Sequence, residues 1–439
     1  MAKKSKKSGY NKRKGLFAFE CIILSLLVVV LVGSIWVMAK FSMINFEKLD
    51  TDKLVTAEEA NTDQEQNTET QPGQETQTEN DFGLSGVEMF ALVGIDERDG
   101  MDSMNSDTMI IACLNHNEKT IRLASVYRDT YLNVGEYEGE TLYSKANCAY
   151  GIGGAAQFLT MLNLNLDLNI TEFASVRFLA LAKTIELMGG LDIDMTREEV
   201  IHLNNYNIET SEACNMPYVE LEMPGPLEFD GAKTLTFHVN GTQAVSYARI
   251  RYTQGNDFRR AARQRLVLQK TLEKAKTCGI GTLNNILNEV LPDVTTNMNN
   301  SKIMTYAAAV LSYDIVDQAG FPFDHIEDEG DLTGSDNVIT VTLENNVIKL
   351  HDFLLPGVPY EPSATVKEYS NYIINKTGLG MESLPLQSED GTIPIWTAES
   401  QAQADAAAAE AAAAQGSEEY SGYDSNDTEG YDSYDESGY

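Results

Sequence analysis

Apolar and polar positions in the middle of the chain follow two different periods. Residues 87–93 (VEMFALV), 108–114 (TMIIACL) and 121–126 are short apolar runs bounded by Gly, Asp and Asn, the pattern of buried strands. Residues 146–163 and 176–188 instead repeat apolar residues every three or four positions and read as helices, the second closed by Gly189 and Gly190. Ile193 and Met195 open another strand, residues 260–276 form a long helix, residues 338–343 alternate as a strand, and residues 345–353 form a short helix. Strands interleaved with helices predict the α/β class, with a mixed central β-sheet sandwiched between helices. No repeat of solenoid length is present.

The flanks have another texture. Residues 21–39 (CIILSLLVVVLVGSIWVMA) carry no charge, and as a helix they would span ~28 Å, about the hydrocarbon thickness of a bilayer. Lys3, Lys4, Lys6, Lys7, Lys12, Arg13 and Lys14 precede this run with no acid among them. That asymmetry predicts one transmembrane helix at 16–40, with residues 1–15 cytoplasmic and the rest outside. Val37 and Ala39 also fit a signal-peptide cleavage site, but the run is longer than a signal peptide needs. Residues 41–81 are polar, acidic and rich in Gln and Thr, and are expected to be a flexible linker. Globular texture extends over 82–280 and continues through 281–398. An Ala-rich run and an acidic, tyrosine-dotted tail follow at 399–439, expected to be disordered.

Charge sharpens this division. The 439 residues hold 32 Lys and Arg against 66 Asp and Glu, a net charge of -34, which argues against nucleic-acid binding. Five cysteines form no CxxC pair and five histidines lie far apart, so neither a zinc ribbon nor an HExxH site is written here. Gly151, Gly153 and Gly154 match no nucleotide-binding motif and read as a tight entry to a helix.

Two blocks place charge where pattern alone does not call for it. In VGIDERDGMDSMNSDTMIIACL, Asp96 follows one predicted strand and Asp107 opens the next. Carboxylates at the ends of neighbouring strands can share Mg²⁺ or Mn²⁺, which take hard oxygen ligands; Asp at strand ends also serves simply to cap turns. In YARIRYTQGNDFRRAARQRLVLQK, Arg249, Arg251, Arg259, Arg260, Arg263 and Arg265 crowd into seventeen residues. On a helix Arg260, Arg263 and Gln264 share a face. Grouped guanidiniums match a pyrophosphate, or else pair with the surplus acids of the same chain. Arg128, beside Asp129, adds a cation at the end of a predicted strand.

Taken in order, VGID-x-R with SDTMI, SVYRDTYL, KANCAYGIGG, TIELMGGLDIDM and YARIRYTQGNDFRRAARQ resemble the LytR-CpsA-Psr (LCP) family of bacterial cell-wall assembly proteins. The resemblance covers about 84–276 strongly and continues more loosely to about 374, identifying 82–280 with that family's catalytic domain. It implies a membrane-anchored enzyme of the Gram-positive type, acting outside the cell. Such an enzyme moves a teichoic-acid or capsular glycopolymer from a polyprenyl-pyrophosphate carrier to peptidoglycan and releases polyprenyl phosphate. By the same resemblance Asp96 and Asp107 hold Mg²⁺ (or Mn²⁺), and Arg128, Arg249 and Arg251 grip the pyrophosphate. Arg98, Arg260, Arg263 and Gln264 stand behind them. Asp129 and Asp257 are candidates for the base. The chain departs from the family pattern at Asn105, Tyr127 and Arg259, where Arg, Pro and Gly are common. A non-catalytic polyprenyl-phosphate-binding regulator and a lipid pyrophosphatase remain as alternative readings.

Overall fold

The structure is a computed structural model and describes residues 38–49, 53–66, 86–95, 106–225, 233–251 and 256–383. Its centre is a seven-stranded sheet of order β1-β10-β7-β2-β3-β4-β11. The strands are β1 (Asn45–Phe46), β2 (Val87–Ile95), β3 (Ser106–Asn115), β4 (Thr120–Val126), β7 (Phe173–Arg177), β10 (Val294–Thr296) and β11 (Asp314–Phe321). Three hairpin pairs lie outside it: β5 (Tyr131–Tyr137) with β6 (Glu140–Lys145), β8 (Leu191–Thr196) with β9 (Thr234–Val239), and β12 (His325–Glu329) with β13 (Asp336–Thr340).

Strand β3 shows why the sheet is covered on both faces. Met109, Ile111 and Cys113 point into one apolar cluster, while Ile110, Ala112 and Leu114 point into another. Successive side chains of a strand face opposite sides, so a run without polar relief must be packed twice. The first cluster is closed by α2 (Cys148–Leu166), α9 (Leu343–Leu354) and α10 (Ala364–Thr377); the second is closed by α6 (Asn256–Thr277) and α8 (Asn300–Ser312). A smaller body joins α3 (Phe178–Leu187), α4 (Arg197–Ala213) and α5 (Gly241–Arg249) to β8 and β9 around Ile185, Leu203 and Tyr247. The α/β sandwich expected from the sequence is therefore present. The sheet also runs across residue 280, because β10 and β11 complete it.

Two local expectations change. Residues 176 and 177 end β7, paired with β2 and β10, and the helix begins only at Phe178. In α2, Gly154 takes φ 65°, a conformation only Gly adopts without strain, so regular helix starts after it. Cys113, Cys148, Cys214 and Cys278 are all free thiols, and burial pushes Cys113 up to about 12, as suits an apolar filler.

The linker expected at 41–81 is partly built into the fold. β1 pairs in parallel with β10, and Glu47 N donates to Thr296 O at 2.9 Å. Further on, the Thr160 hydroxyl accepts from Val55 N and donates to Lys53 O, both at 3.0 Å, and Asn163 Nδ2 donates to Val55 O at 3.2 Å. Helix α1 (Ala57–Gln66) follows, capped by Thr56. The segment docks in two ways: Leu49 and Leu54 reach the main apolar cluster, and part of its backbone is satisfied by side chains of α2. The transmembrane segment expected at 16–40 lies outside the described residues except for 38–40; among those described, no helix is long and apolar enough to cross a membrane. The tail at 399–439 also lies outside them.

Asn163 is fully buried and also bonds the backbone of Ile170 through both amide groups, at 2.8 and 3.0 Å. Asn163→Ala would strand these partners at a cost of roughly 2–4 kcal/mol. Thermal unfolding should show a drop of several degrees; an unchanged midpoint would mean that the arm at 53–57 is not tied down in this way.

Candidate functional site

Strands β3 and β4 bring Asp107 and Arg128 to neighbouring strand ends near the middle of the sheet. In the β2–β3 register Gly94 faces Thr108 but Ile95 faces Ser106, so Asp107 is the extra residue of a bulge. Bulges re-aim side chains at the ends of sheets. Gly94 permits the close pairing, since a Cβ there would meet the Thr108 Cβ at 2.8 Å.

The turn after β4 is fastened from several sides. Tyr127 N donates to Phe321 O at 2.9 Å, Arg128 O accepts from Asn147 N at 3.0 Å, and Asp129 O accepts from Val338 N at 2.8 Å. Tyr127, one of the departures noted above, packs edge-on against Phe258 at 4.7 Å. Room for its ring comes from Gly320, where a Cβ would lie 2.0 Å from the Tyr127 hydroxyl. The turn thus holds Arg128 and Asp129 on a fixed backbone.

Three guanidiniums converge on one carboxylate oxygen. Asp107 Oδ1 lies 3.2 Å from Arg128 Nη1, 3.5 Å from Arg260 Nη2 and 3.8 Å from Arg251 Nη2. Arg260 also donates to the Asp107 carbonyl at 2.6 Å. Burial pushes the Asp107 carboxyl up, but Arg260, Arg128 and Arg251 together outweigh it and hold the group below the usual carboxylate range. Gln264 lines a small cavity of about 10 Å³ with Asp107, Arg128 and Arg260, room for about one water. Next to this cluster Asp129 lies 3.1 Å from both Arg128 Nε and Lys145 Nζ. Among the described residues, four cationic groups therefore meet two carboxylates here.

Other expected members stand elsewhere. Arg249, in the last turn of α5, donates to Thr210 Oγ1 at 2.9 Å, pairs with Glu209 at 3.5 Å and lies over the Phe178 and Tyr206 rings. It does not reach Asp107. Arg263, expected to orient phosphate beside Arg260, has a side chain only 4% exposed that bonds Glu199 at 3.0 Å and Ile250 O at 3.2 Å. Those contacts tie α6 to α4 and to the segment after α5. Arg265 is buried with Nη1 unbonded, and desolvation pushes its pKa down. Asp96, Arg98 and the Asp257 side chain lie outside the described residues. Lys145 was not expected; its signal was its place at the head of KANCAYGIGG, a lone base in a polar stretch.

Among the described residues no group of three His, Cys, Asp or Glu side chains could hold a metal ion. Asp107 is nevertheless an ionised hard oxygen donor. Mg²⁺ often binds one or two carboxylates and completes its shell with water and phosphate oxygens. The donor set fits such a cation when it arrives with a phosphate ligand, since three guanidiniums at Asp107 oppose a bare dication.

The chain is thus a mixed α/β protein with a cluster of cationic side chains around Asp107 at the ends of its central strands. The sequence profile of the LytR_cpsA_psr family matches residues 52–345, and the chain belongs to that family. It is similar to the polyisoprenyl-teichoic acid–peptidoglycan teichoic acid transferase TagU of Enterococcus faecalis, 28% identical over 231 residues that cover 51% of this chain and 65% of that protein. It is also similar to biofilm regulatory protein A of Streptococcus mutans serotype c, 26% identical over 263 residues, covering 55% of this chain and 60% of that one. The chain thus matches less than two thirds of the length of these relatives. Among solved structures, protein gbs0355 from Streptococcus agalactiae shares the fold with a TM-score of 0.51 at 23% identity, covering 66% of this chain and 94% of that one.

The depressed pKa of Asp107 fixes a pH signature. Its stabilising contribution is complete above the ordinary carboxylate value of about 4 and is lost as pH falls through the lower folded-state value. Asp107→Asn should therefore shift the melting temperature by a constant amount between about pH 5 and 8, with the gap closing only below about pH 4. A gap that changes between neutral and mildly alkaline pH would assign the titration to another group.

Proposed function

We propose that the protein is an extracytoplasmic phosphotransferase, anchored by residues 16–40 with its N-terminus in the cytoplasm. It would move a glycopolymer from a polyprenyl-pyrophosphate carrier onto peptidoglycan. The observation that carries this reading is the convergence of Arg128, Arg251 and Arg260 on the ionised Asp107. Membership of the family and the transferase name of the Enterococcus relative support it. Outside the cytoplasm there is no ATP, so the donor must bring its own activated bond, and a pyrophosphate ester does so.

In the proposed reaction a peptidoglycan hydroxyl attacks the glycan-bearing phosphorus. A P–O bond forms to the acceptor, the P–O bond to the bridging oxygen breaks, and polyprenyl phosphate leaves with that electron pair. Arg128, Arg251 and Arg260 neutralise the charge that builds on the transferring and leaving groups, which is the main requirement of phosphoryl transfer. Gln264 orients the phosphates, and Arg249 meets the donor from the α5 side. Asp107 and Asp96 would hold Mg²⁺ or Mn²⁺, which when bound supplies further charge neutralisation. Asp129 accepts the hydroxyl proton. It lies 3.1 Å from both Arg128 Nε and Lys145 Nζ, and a loose transition state demands little early deprotonation.

The test incubates the full-length protein in vesicles with Mg²⁺, a lipid-pyrophosphate-linked oligosaccharide and peptidoglycan fragments, followed by mass analysis. A sugar-phosphate adduct with released lipid phosphate is expected. Lipid phosphate without adduct would mean hydrolysis, and bound but intact donor would mean a binding module. Asp96→Ala and Arg128→Ala should each reduce transfer by at least about 100-fold. Calorimetry should detect Mg²⁺ binding in the presence of the lipid pyrophosphate and little in its absence; equal binding in both would remove the shared-ligand account of the cation.

A further inference from the structure

Helix α7 (Ile280–Val290) is apolar along one side yet has no buried residue. Ile280, Leu283, Leu287 and Val290 recur at three- and four-residue spacing, a continuous stripe on a helix. The protein covers that stripe only in part. Leu283, Ile286, Leu287 and Val290 are half-buried, Ile286 at the margin of the α3–α5 cluster, whereas Ile280 is 86% exposed. A stripe of this kind normally lies against something apolar.

Three observations indicate what that is. First, the arm leaving the uncharged run at 21–39 arrives beside α7: Lys40 Nζ donates to Asn288 Oδ1, and Asn45 Nδ2 donates to Pro292 O at 2.7 Å. Met38, the last apolar residue but one of that run, is 71% exposed. Second, α3 runs antiparallel to α7, with Lys183 3.6 Å from Glu289 and Arg177 3.9 Å from Asp293. This brings the exposed Leu187, at the end of α3, toward the first turns of α7. Third, bases gather at this flank, interleaved with acids, in a chain whose net charge is -34. Lys40 lies beside the helix, Arg177 and Lys183 face Asp293 and Glu289, and Lys274 and Lys276 occupy the last turn of α6 just before it, Lys276 3.2 Å from Asp314.

We infer that α7, with Met38 and Leu187, rests on the membrane surface, its apolar side among the outermost acyl carbons and the flanking bases on anionic headgroups. Apolar residues rimmed by Lys and Arg are the composition of helices that lie in the interface plane. The inference rests on the reading that residues 16–40 span a bilayer. Its consequence for the proposed activity is orientational. A single transmembrane helix leaves the outer domain free to swing, whereas contact through α7 fixes the angle at which the α3–α5 body and the cationic cluster face the lipid donor.

The test uses the full-length chain in vesicles of phosphatidylglycerol and phosphatidylcholine. An environment-sensitive fluorescent amino acid replaces Ile280 in one preparation and Tyr137, exposed on the β5–β6 hairpin, in another. Lipids brominated near the headgroup should quench the probe at 280 several-fold more than the probe at 137, and the excess should fall when phosphatidylglycerol is omitted. With the probe at Leu187 instead, Ile280→Glu should reduce its quenching; Ile280 is too exposed for this change to disturb folding. Chains that float with the vesicles but show equal quenching at 280 and 137 would overturn the docking while leaving the anchor intact. Quenching that ignores lipid charge would overturn the role of the basic rim. Chains that fail to float would overturn both the anchor and the docking.

Discussion

Like charges cannot be gathered within a few ångströms of one another in a half-buried site unless an opposite charge is already there. Arg128, Arg251 and Arg260 come from the turn after β4, the segment after α5 and helix α6, and they meet because Asp107 Oδ1 lies within 3.2 to 3.8 Å of each. At such distances each favourable pair contributes on the order of a few kcal/mol before desolvation is counted, enough to offset the mutual repulsion of the cations. The bulge that aims Asp107, the pinned turn that carries Arg128 and the seating of α6 all converge on this one ion cluster. A phosphate ligand entering it would find the cations in place and would compete with Asp107 for them.

Much of this was legible in the sequence. The strands β2, β3 and β4 announce themselves as apolar runs because both faces of the sheet are covered, and α6 does so through its period. Asp107 and Arg128 were nominated from strand ends, Arg260 and Gln264 from one helix face, and Arg251 from the arginine-dense block and the family resemblance, and the structure brings these five together. Arg249 and Arg263 carried the same sequence signal, but their outcome was decided by Glu209, Thr210 and Glu199, partners 39 to 64 residues away. No local pattern distinguishes an arginine destined for an anion from one destined for a glutamate brought in by tertiary packing. Lys145 was hidden for the complementary reason: β6 reaches the site only because the β5–β6 hairpin folds beside it.

The segment at 41–66 shows a second limit of composition. A mostly polar chain can still be held when a few apolar residues, here Ile44, Leu49 and Leu54, find the core and the host offers its backbone a sheet edge and well-placed side chains, here β10, Thr160, Asn163 and Asn169. Hydropathy counts what a segment can bury and is silent about what its neighbours can bond.

That mode of attachment has a mechanical side. A two-residue edge strand is the first element of the sheet to receive any pull transmitted along the chain from its N-terminal side, and the tie of 53–57 to α2 comes next in series. A few backbone hydrogen bonds at an edge yield before the long pairings of β2, β3 and β4 are loaded. If, as proposed, residues 16–40 span a bilayer and the site holds a wall polymer, tension between the two would be relieved by lengthening the arm. The ion cluster, seated four strands further in at β3, would keep its geometry under load.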